Sequence, residues 1–392
     1  MNKIIDILKR IKISNILGVF IFIILLPITL IVKGINKLKS KEIWLISEEK
    51  DKARDNGYHF FKYLMNKDTK YNVYYAIDKN CNDYKKIKKY DKNIIKYGSV
   101  KHYFIYMIAN KNIVSQKSAN PNPPLFYVLH VLLKVYNNRI FLQHGITLNK
   151  CDSLLYKNTH FKKIICSCEK EYKYINSELG YPKDKICMTG LARFDNLTNK
   201  NLNKKQIVIM PSWRNYLSNK KNNINFKETS YYINWIKILT DSKLINKVKE
   251  KNITIYFYVH PNMEKYIKNF KSKSENIKIV NSKQMDIQDL FNTSSLMITD
   301  YSSVSMDFLY LNKPVIYFQF DNDIVREKQY KKGYYNYDFG YNYKDYKKVI
   351  SKTIEYIDNK FKLEDKYQNK INDFFIVRDN SNCDRIYNEL KE

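Results

Sequence analysis

QIVIMPSW (206–213) is the stretch that decides the architecture. A short apolar run ends on Pro211, as a strand buried in a sheet does, and it opens a fresh β/α series. The pattern recurs downstream in ITIYFYVHP (253–261), IKIVN (277–281), LMITDYSS (296–303) and PVIYFQF (314–320), with a long helix expected around 230–250. Lysine- and asparagine-rich segments at 198–205 and 217–225 read as a linker and a loop. Upstream lies an earlier series: IWLIS (43–47), VYYAID (73–78), FIYMIAN followed by NIVSQ (104–116), RIFLQHG (139–145), KIICSC (163–168) and ICMTGLARFD (186–195). Between these, Asp55-Asn56-Gly57 reads as a turn and cap, YHFFKYLM (58–65) as a helix, and EKEYKYINSELG (169–180) as another. Two consecutive series of similar size predict an α/β protein of two doubly wound domains, 41–200 and 201–345, facing one cleft. A charged helical tail, 346–392, is expected to pack back on the first domain.

The segment 1–40 is different. Apolar and basic residues alternate at helical spacing over 1–12, and Ile16–Val32 is an uncharged apolar run interrupted only by Gly18, Pro27 and Thr29. At about 1.5 Å per residue it barely reaches across a hydrocarbon core of roughly 30 Å. Lys33, Lys37, Lys39 and Lys41 follow it, where a signal peptide would offer small residues. These flanking lysines also argue against a buried core helix. The segment reads as a membrane anchor, either spanning or in-plane, since Pro27 would kink a helix.

Over 392 residues, 69 Lys and Arg against 39 Asp and Glu give a net charge of +30, with 44% hydrophobic and 15% aromatic content. Packed cores are affordable, so global disorder is excluded. The surface should attract anions: nucleic acid, acidic lipid or a phosphorylated substrate. The basic residues are spread over the whole chain, and a hydrophobic N-terminus makes no sense for a nucleic-acid binder, so no nucleic-acid partner is expected. Cys81, Cys151, Cys166, Cys168, Cys187 and Cys383 form no CxxC pair, which points to reduced thiols and no zinc site.

Ligands of open α/β sheets collect at the carboxyl ends of strands, and most of the chemistry-bearing motifs sit there. His144 follows Ile140-Phe141-Leu142 directly and precedes Gly145, which lets the chain turn and leaves the imidazole uncovered; a histidine in that place can take a proton from a hydroxyl. His260, before Pro261, can donate to a phosphate oxygen. Thr299, Asp300, Ser302 and Ser303 lead from a strand into a helix containing Asp307, a phosphate cradle without P-loop glycines. Arg214 could fork onto a diphosphate or form a plain ion pair. Arg193 could line the cleft, or with Asp195 tie down the linker. Each has a bland reading, a strand-end turn or an ordinary cap; their shared placement is harder to explain by packing. GxGxxG, GxxxxGK[ST], HExxH and GxSxG are missing, and no DxD pair stands in a convincing strand-end context, which removes most support for redox, P-loop, zinc-protease and metal-diphosphate chemistry.

Gln143-His144-Gly145, Pro211-Ser212-Trp213-Arg214, His260-Pro261 and Asp300-Tyr301-Ser302-Ser303, with Thr189 to Asp195 and Lys313 to Ile316, resemble the CDP-glycerol glycerophosphotransferase family of teichoic acid and capsule biosynthesis. The resemblance implies a GT-B-like fold on the cytoplasmic face of the cell membrane, peripheral or singly anchored. It implies a CDP-glycerol or other CDP-polyol donor, a lipid-linked polymer or oligosaccharide acceptor and CMP as product, with no obligatory cofactor or metal. His144 would be the base on the acceptor hydroxyl, and His260, Ser302 and Ser303 would hold the donor diphosphate, with Arg214 as a further partner. Anionic membrane lipid would be a partner of the basic surface, and a homo-oligomer is left open. Leu191-Ala192 and Ser212 depart from the family pattern and leave glycerol, ribitol and sugar donors open. The nearest rival is a GT-B glycosyltransferase using a CMP- or UDP-sugar.

Overall fold

Thirteen short strands among the described residues build two separate parallel sheets. The computed structural model describes residues 12–38, 42–134, 137–199, 205–218 and 224–391. Most of the 1–12 stretch, Lys39 and Lys41, and the greater part of the expected linker and loop lie outside them. The first sheet contains β1 (Ile43–Ser47), β2 (Asn72–Ile77), β3 (Ile94–Lys96), β4 (Lys111–Val114), β5 (Arg139–Phe141), β6 (Lys163–Cys166) and β7 (Ile186–Met188), in the order β3-β2-β1-β4-β5-β6-β7. The second contains β8 (Gln206–Met210), β9 (Thr254–Tyr258), β10 (Ile277–Val280), β11 (Leu296–Thr299), β12 (Val315–Phe318) and β13 (Tyr341–Tyr343), in the order β10-β9-β8-β11-β12-β13. Every pairing is parallel, for example Trp44↔Val73 and Ile209↔Phe257. Parallel strands are covered on both faces, which is why β1 is apolar and buried at all five positions. In each sheet the order reverses beside the first strand, between β1 and β4 and again between β8 and β11. Such a switch point leaves a crevice at the strands' carboxyl ends.

The described residues up to Gly145, with Cys151–Asp195 and those from Asp379, form one compact unit; Ile146–Lys150 and Asn196–Arg378 form the other. In the first unit, α1 (Ile13–Leu38) runs 26 residues and is long and apolar enough to cross a membrane. One stripe of it is nevertheless fastened to the protein. Asn15 and Asn122 exchange two hydrogen bonds, Phe22 meets Phe126 edge to face, and Ile21, Leu25 and Val32 join the core around Tyr103 and Ile105. Gly18 allows the close approach: a Cβ there would stand 2.0 Å from the Tyr103 hydroxyl. The opposite face, including Leu17, Phe20, Ile24 and Ile31, is exposed. Next come α2 (Asn56–Asn66), capped by Asp55, and α3 (Val100–Ile108), on which α1 packs.

In the second unit the expected long helix is two, α4 (Ser230–Thr240) and α5 (Ser242–Glu250). Asp241 between them is extended and its carboxylate accepts from Leu244 N at 3.1 Å, starting a new helix where the pattern suggests continuity. The tail also departs from expectation. α6 (Tyr346–Asp358) and α7 (Asp365–Phe374) belong to the second unit, with Val349, Ile350, Tyr356 and Ile357 in its core beside Trp235 and Phe318. Their apolar stripes find the nearest sheet, so 346–392 does not pack as a whole on the first domain. Only α8 (Asn382–Lys391) does. Asp195 caps it, accepting from Asn382 N and Cys383 N at 2.8 Å each, while Gly190, at φ +81°, makes room for Asn382. Ile386 and Leu390 are buried there. Ile386→Ala should therefore destabilise the first unit by about 2–5 kcal/mol, read as a lowered denaturation midpoint; an unchanged midpoint would mean that α8 is not integral to it.

Candidate functional site

In the first unit the site grows from one buried carboxylate. Asp55 follows β1 and opens α2, and its side chain is 6% exposed. One oxygen, Oδ2, meets His144 Nδ1 in a very short contact and accepts from Gln116 Nε2 at 2.9 Å. The other, Oδ1, accepts from Arg193 Nη1 at 2.9 Å and from Asn56 N at 2.8 Å. Burial alone would push this carboxyl up; the His144 imidazole and the Arg193 guanidinium outweigh it and hold it below its ordinary value. Asp55 in return raises the His144 imidazole above its usual range, against desolvation. Behind them Glu48 accepts from Tyr58 N at 2.7 Å, Asp55 N at 3.0 Å and Arg54 N at 3.1 Å. Burial and the Asp55 charge push Glu48 up to about 7.

The backbone that carries His144 is equally constrained. β5 stops at Phe141, and Gln143 takes a left-handed φ of +62°, a conformation that costs a non-glycine residue about 1–3 kcal/mol. Gln143 Nε2 donates to Ile165 O at 2.7 Å and Glu171 Oε1 at 2.9 Å, and Asn56 Nδ2 donates to Gln143 O at 2.8 Å. Arg193 Nη1 holds His144 O at 2.6 Å. Against this frame the His144 side chain is 76% exposed.

In the second unit the switch point between β8 and β11 is filled by a buried cation. Arg214 is fully buried; Nη2 donates to Asp300 Oδ2 at 2.8 Å, and Nε and Nη2 donate to Asp321 at 2.8 and 3.1 Å. Desolvation works against its charge, but the two carboxylates raise the guanidinium above its ordinary value. Asp300 also accepts from Ser212 N and Tyr301 N, and Thr299 Oγ1 donates to Met210 O at 2.6 Å. Arg214, Asp300 and Thr299 thus hold the loops together, with these polar atoms turned inward. Asp307 is likewise buried within the helix Ser305–Tyr310, and Arg193 is engaged by Asp55 and His144.

Ser302 and Ser303 remain half-buried at the β11 end, where Ser302 Oγ accepts from Val304 N at 3.4 Å. His260, also half-buried, follows β9; its Nδ1 accepts from Asn262 N at 3.1 Å and its ring lies 6.1 Å from that of Trp213, nearly parallel. Gly145 is half-exposed beside His144. Lys313, in the motif Lys313-Pro314-Val315-Ile316, closes a helix end by donating to Phe291 O and Asn292 O, and burial lowers it to about 7. The expected site residues did not include Asp55, Asn56, Gln116 or Glu48. Their one signal in sequence was position: Asp55 follows the first strand, at the edge where ligands collect.

Two successive doubly wound parallel units with histidines at strand carboxyl ends place this protein in the GT-B-like class of α/β folds. The wall teichoic acid polymerase TagF shares the fold, with a TM-score of 0.64 at 17% identity and 97% of each chain covered; a variant of that polymerase soaked with CDPG gives 0.62 at 18% identity, covering 97% of this chain and 98% of that one. The minor teichoic acid biosynthesis protein GgaB of Bacillus subtilis (strain 168) is 34% identical over 366 residues, 90% of this chain. The match spans 40% of GgaB's own length. The chain belongs to the CDP-Glycerol:Poly(glycerophosphate) glycerophosphotransferase family, whose pattern matches residues 28–392.

The structural role of Arg214 is testable. Arg214→Ala leaves Asp300 and Asp321 as uncompensated buried charges and should cost about 3–5 kcal/mol of stability, measured by chemical denaturation; a variant as stable as the parent would return Arg214 to the ligand contacts.

Proposed function

We propose that this protein transfers glycerol phosphate, or a related polyol phosphate, from CDP-glycerol to a hydroxyl of a membrane-linked acceptor in teichoic acid or capsular polymer biosynthesis, releasing CMP. The observation that carries the reading is the exposed His144 imidazole, held by a buried carboxylate at the end of β5 in a chain of this family. The acceptor hydroxyl attacks the β-phosphorus, the bond from that phosphorus to the bridging oxygen breaks, and CMP departs. His144 takes the hydroxyl proton. Such reactions depend mostly on positioning and charge stabilisation.

His260 suits the donor phosphate. Because its Nδ1 accepts the Asn262 N–H, the neutral ring carries its proton on Nε2 and offers a donor. Ser302 and Ser303 add hydroxyls one strand beyond β8, on the same carboxyl edge of the second sheet. GgaB's name and the CDPG soak of the TagF variant support this choice of donor and product class.

The site would work at the cytoplasmic face of the cell membrane, against anionic lipid. The packed stripe of α1, from Asn15 to Val32, is about 26 Å long; crossing a bilayer would drag α3 and the helix Pro123–Tyr127 into hydrocarbon. α1 instead lies along one leaflet, its exposed apolar face inward, with Lys12, Lys33 and Lys37 near the headgroups. Val100, on α3, against which α1 packs, is a further exposed apolar side chain.

His144→Ala should lower CMP release from CDP-glycerol by about 10²–10⁴-fold, and His260→Ala should also lower it, both variants keeping the parent's circular dichroism. Offering CDP-ribitol, CMP-sialic acid and UDP-sugars in separate reactions identifies the donor by which of them yields nucleotide. Near-normal turnover in either variant, or nucleotide release from CMP-sialic acid or a UDP-sugar alone, would sink the reading. For the membrane, Ile13→Cys and Leu38→Cys should both react with an impermeant maleimide from the cytoplasmic side; labelling of only one end means that α1 spans.

A further inference from the structure

We propose that Asp55 is a positioning residue for His144: it grips the imidazole by Nδ1 and so leaves Nε2 bare to accept a proton. The proposal rests on the reading of His144 as the base.

The first support is the fixity of the carboxylate. Asp55 is held from four directions, by His144, Gln116, Arg193 and the N–H of Asn56. An ionised carboxylate only accepts hydrogen bonds, so the nitrogen it meets must donate. A neutral imidazole has one proton. With that proton on Nδ1, Nε2 keeps its lone pair, the form in which a general base works.

The second support is that a helix cap needs none of this. An N-cap aspartate has only to accept from backbone N–H groups at the start of its helix, and Asp55 already does so through Asn56 N. Its contacts to His144 and Arg193 reach 89 and 138 residues along the chain. The same Arg193 also fixes the His144 carbonyl, and Asn56, the next residue, accepts from Arg193 N at 3.0 Å while holding the Gln143 carbonyl. The ring of His144 is therefore set by Asp55 and its main chain by Arg193 and Asn56, which themselves bond to each other, although the ring stands in solvent.

Charge completes the argument. The charged groups that act on His144 are Asp55, Arg193 and Glu48: the two carboxylates favour the imidazolium that forms when the proton arrives, and Arg193 opposes it. Arg193 also keeps Asp55 ionised, so the proton stays on the imidazole. Asp55→Asn removes the anion at constant size. Its amide can donate to Nδ1, which moves the ring proton to Nε2 and blocks the base.

The test is nitrogen NMR of protein labelled with 15N-histidine, the His144 resonances identified by their loss in His144→Gln. In the parent, the neutral ring should show a protonated Nδ1 and a bare Nε2. In Asp55→Asn, the titration midpoint of His144 should fall, because the imidazolium has lost its anionic neighbour. CMP release should drop by about 10²–10⁴-fold, mostly in kcat rather than KM, and the acid limb of its pH profile should move to lower pH. A purely structural Asp55 would alter neither tautomer nor midpoint. A parent ring protonated on Nε2, or a midpoint unchanged in Asp55→Asn, overturns the proposal. If Asp55→Asn fails to fold, the parent's tautomer alone decides. The spectrum needs no turnover: a Nδ1-protonated ring in a protein that releases no nucleotide upholds Asp55 and sinks the transfer reading instead.

Discussion

The burial of the Asp55 carboxylate is the constraint on which the first unit's site depends. A buried ion without partners costs several kcal/mol, so it persists only where donors surround it. Those donors come from four places: the start of α2, the second residue after β4, the loop after β5, and Arg193 beyond β7. Satisfying one anion therefore forces four strand-end segments to converge on the switch point of the sheet. The strained φ of Gln143 follows from the same demand, since the chain must turn sharply to bring His144 over Asp55 while two side-chain bonds hold the turn.

The second unit solves the same problem with the opposite charge. Arg214, between Asp300 and Asp321, ties the loops after β8, β11 and β12 at the corresponding switch point. In both units the crevice that a doubly wound sheet leaves is stiffened by a buried ion cluster, and the histidine stands one strand away, after β5 in the first and after β9 in the second. The buried cluster bears the electrostatic cost, and the histidine ring stands closer to the surface than the ions. This arrangement explains why so many polar residues of the strand-end motifs are engaged with one another.

Much of the fold was legible in the sequence because buried parallel strands are short apolar runs. IWLIS, QIVIM and LMIT stand in the structure almost residue for residue. The edge strands β3 and β13, three residues each, carry too little pattern to separate from loops, and Asp241 divides a helix that periodicity alone would continue. For the candidate site, the strand-end placement of its residues was legible and their hydrogen-bond partners were not. Arginine beside a strand end fits a diphosphate or a buried ion pair equally well, and only burial separates the two. Asp55 is accounted for locally as a cap, while the partners that give it a second role are distant in sequence.

The two histidines show what local sequence could not carry. Both follow a strand and precede a turn, yet each commits Nδ1 to the protein in an opposite sense. His144 donates there to a carboxylate, whereas His260 accepts there from a backbone N–H. Since a neutral imidazole has one proton, the direction of that single hydrogen bond fixes what Nε2 can do. At His144 it is a lone pair suited to a hydroxyl proton; at His260 it is an N–H suited to a phosphate oxygen. A phosphoryl transfer needs one of each, a base for the nucleophile and a donor for the developing charge. Under the proposed reaction, the assignment of base and donor is therefore a property of the two supporting loops, and exchanging Asp55 for a hydrogen-bond donor would make the first histidine resemble the second.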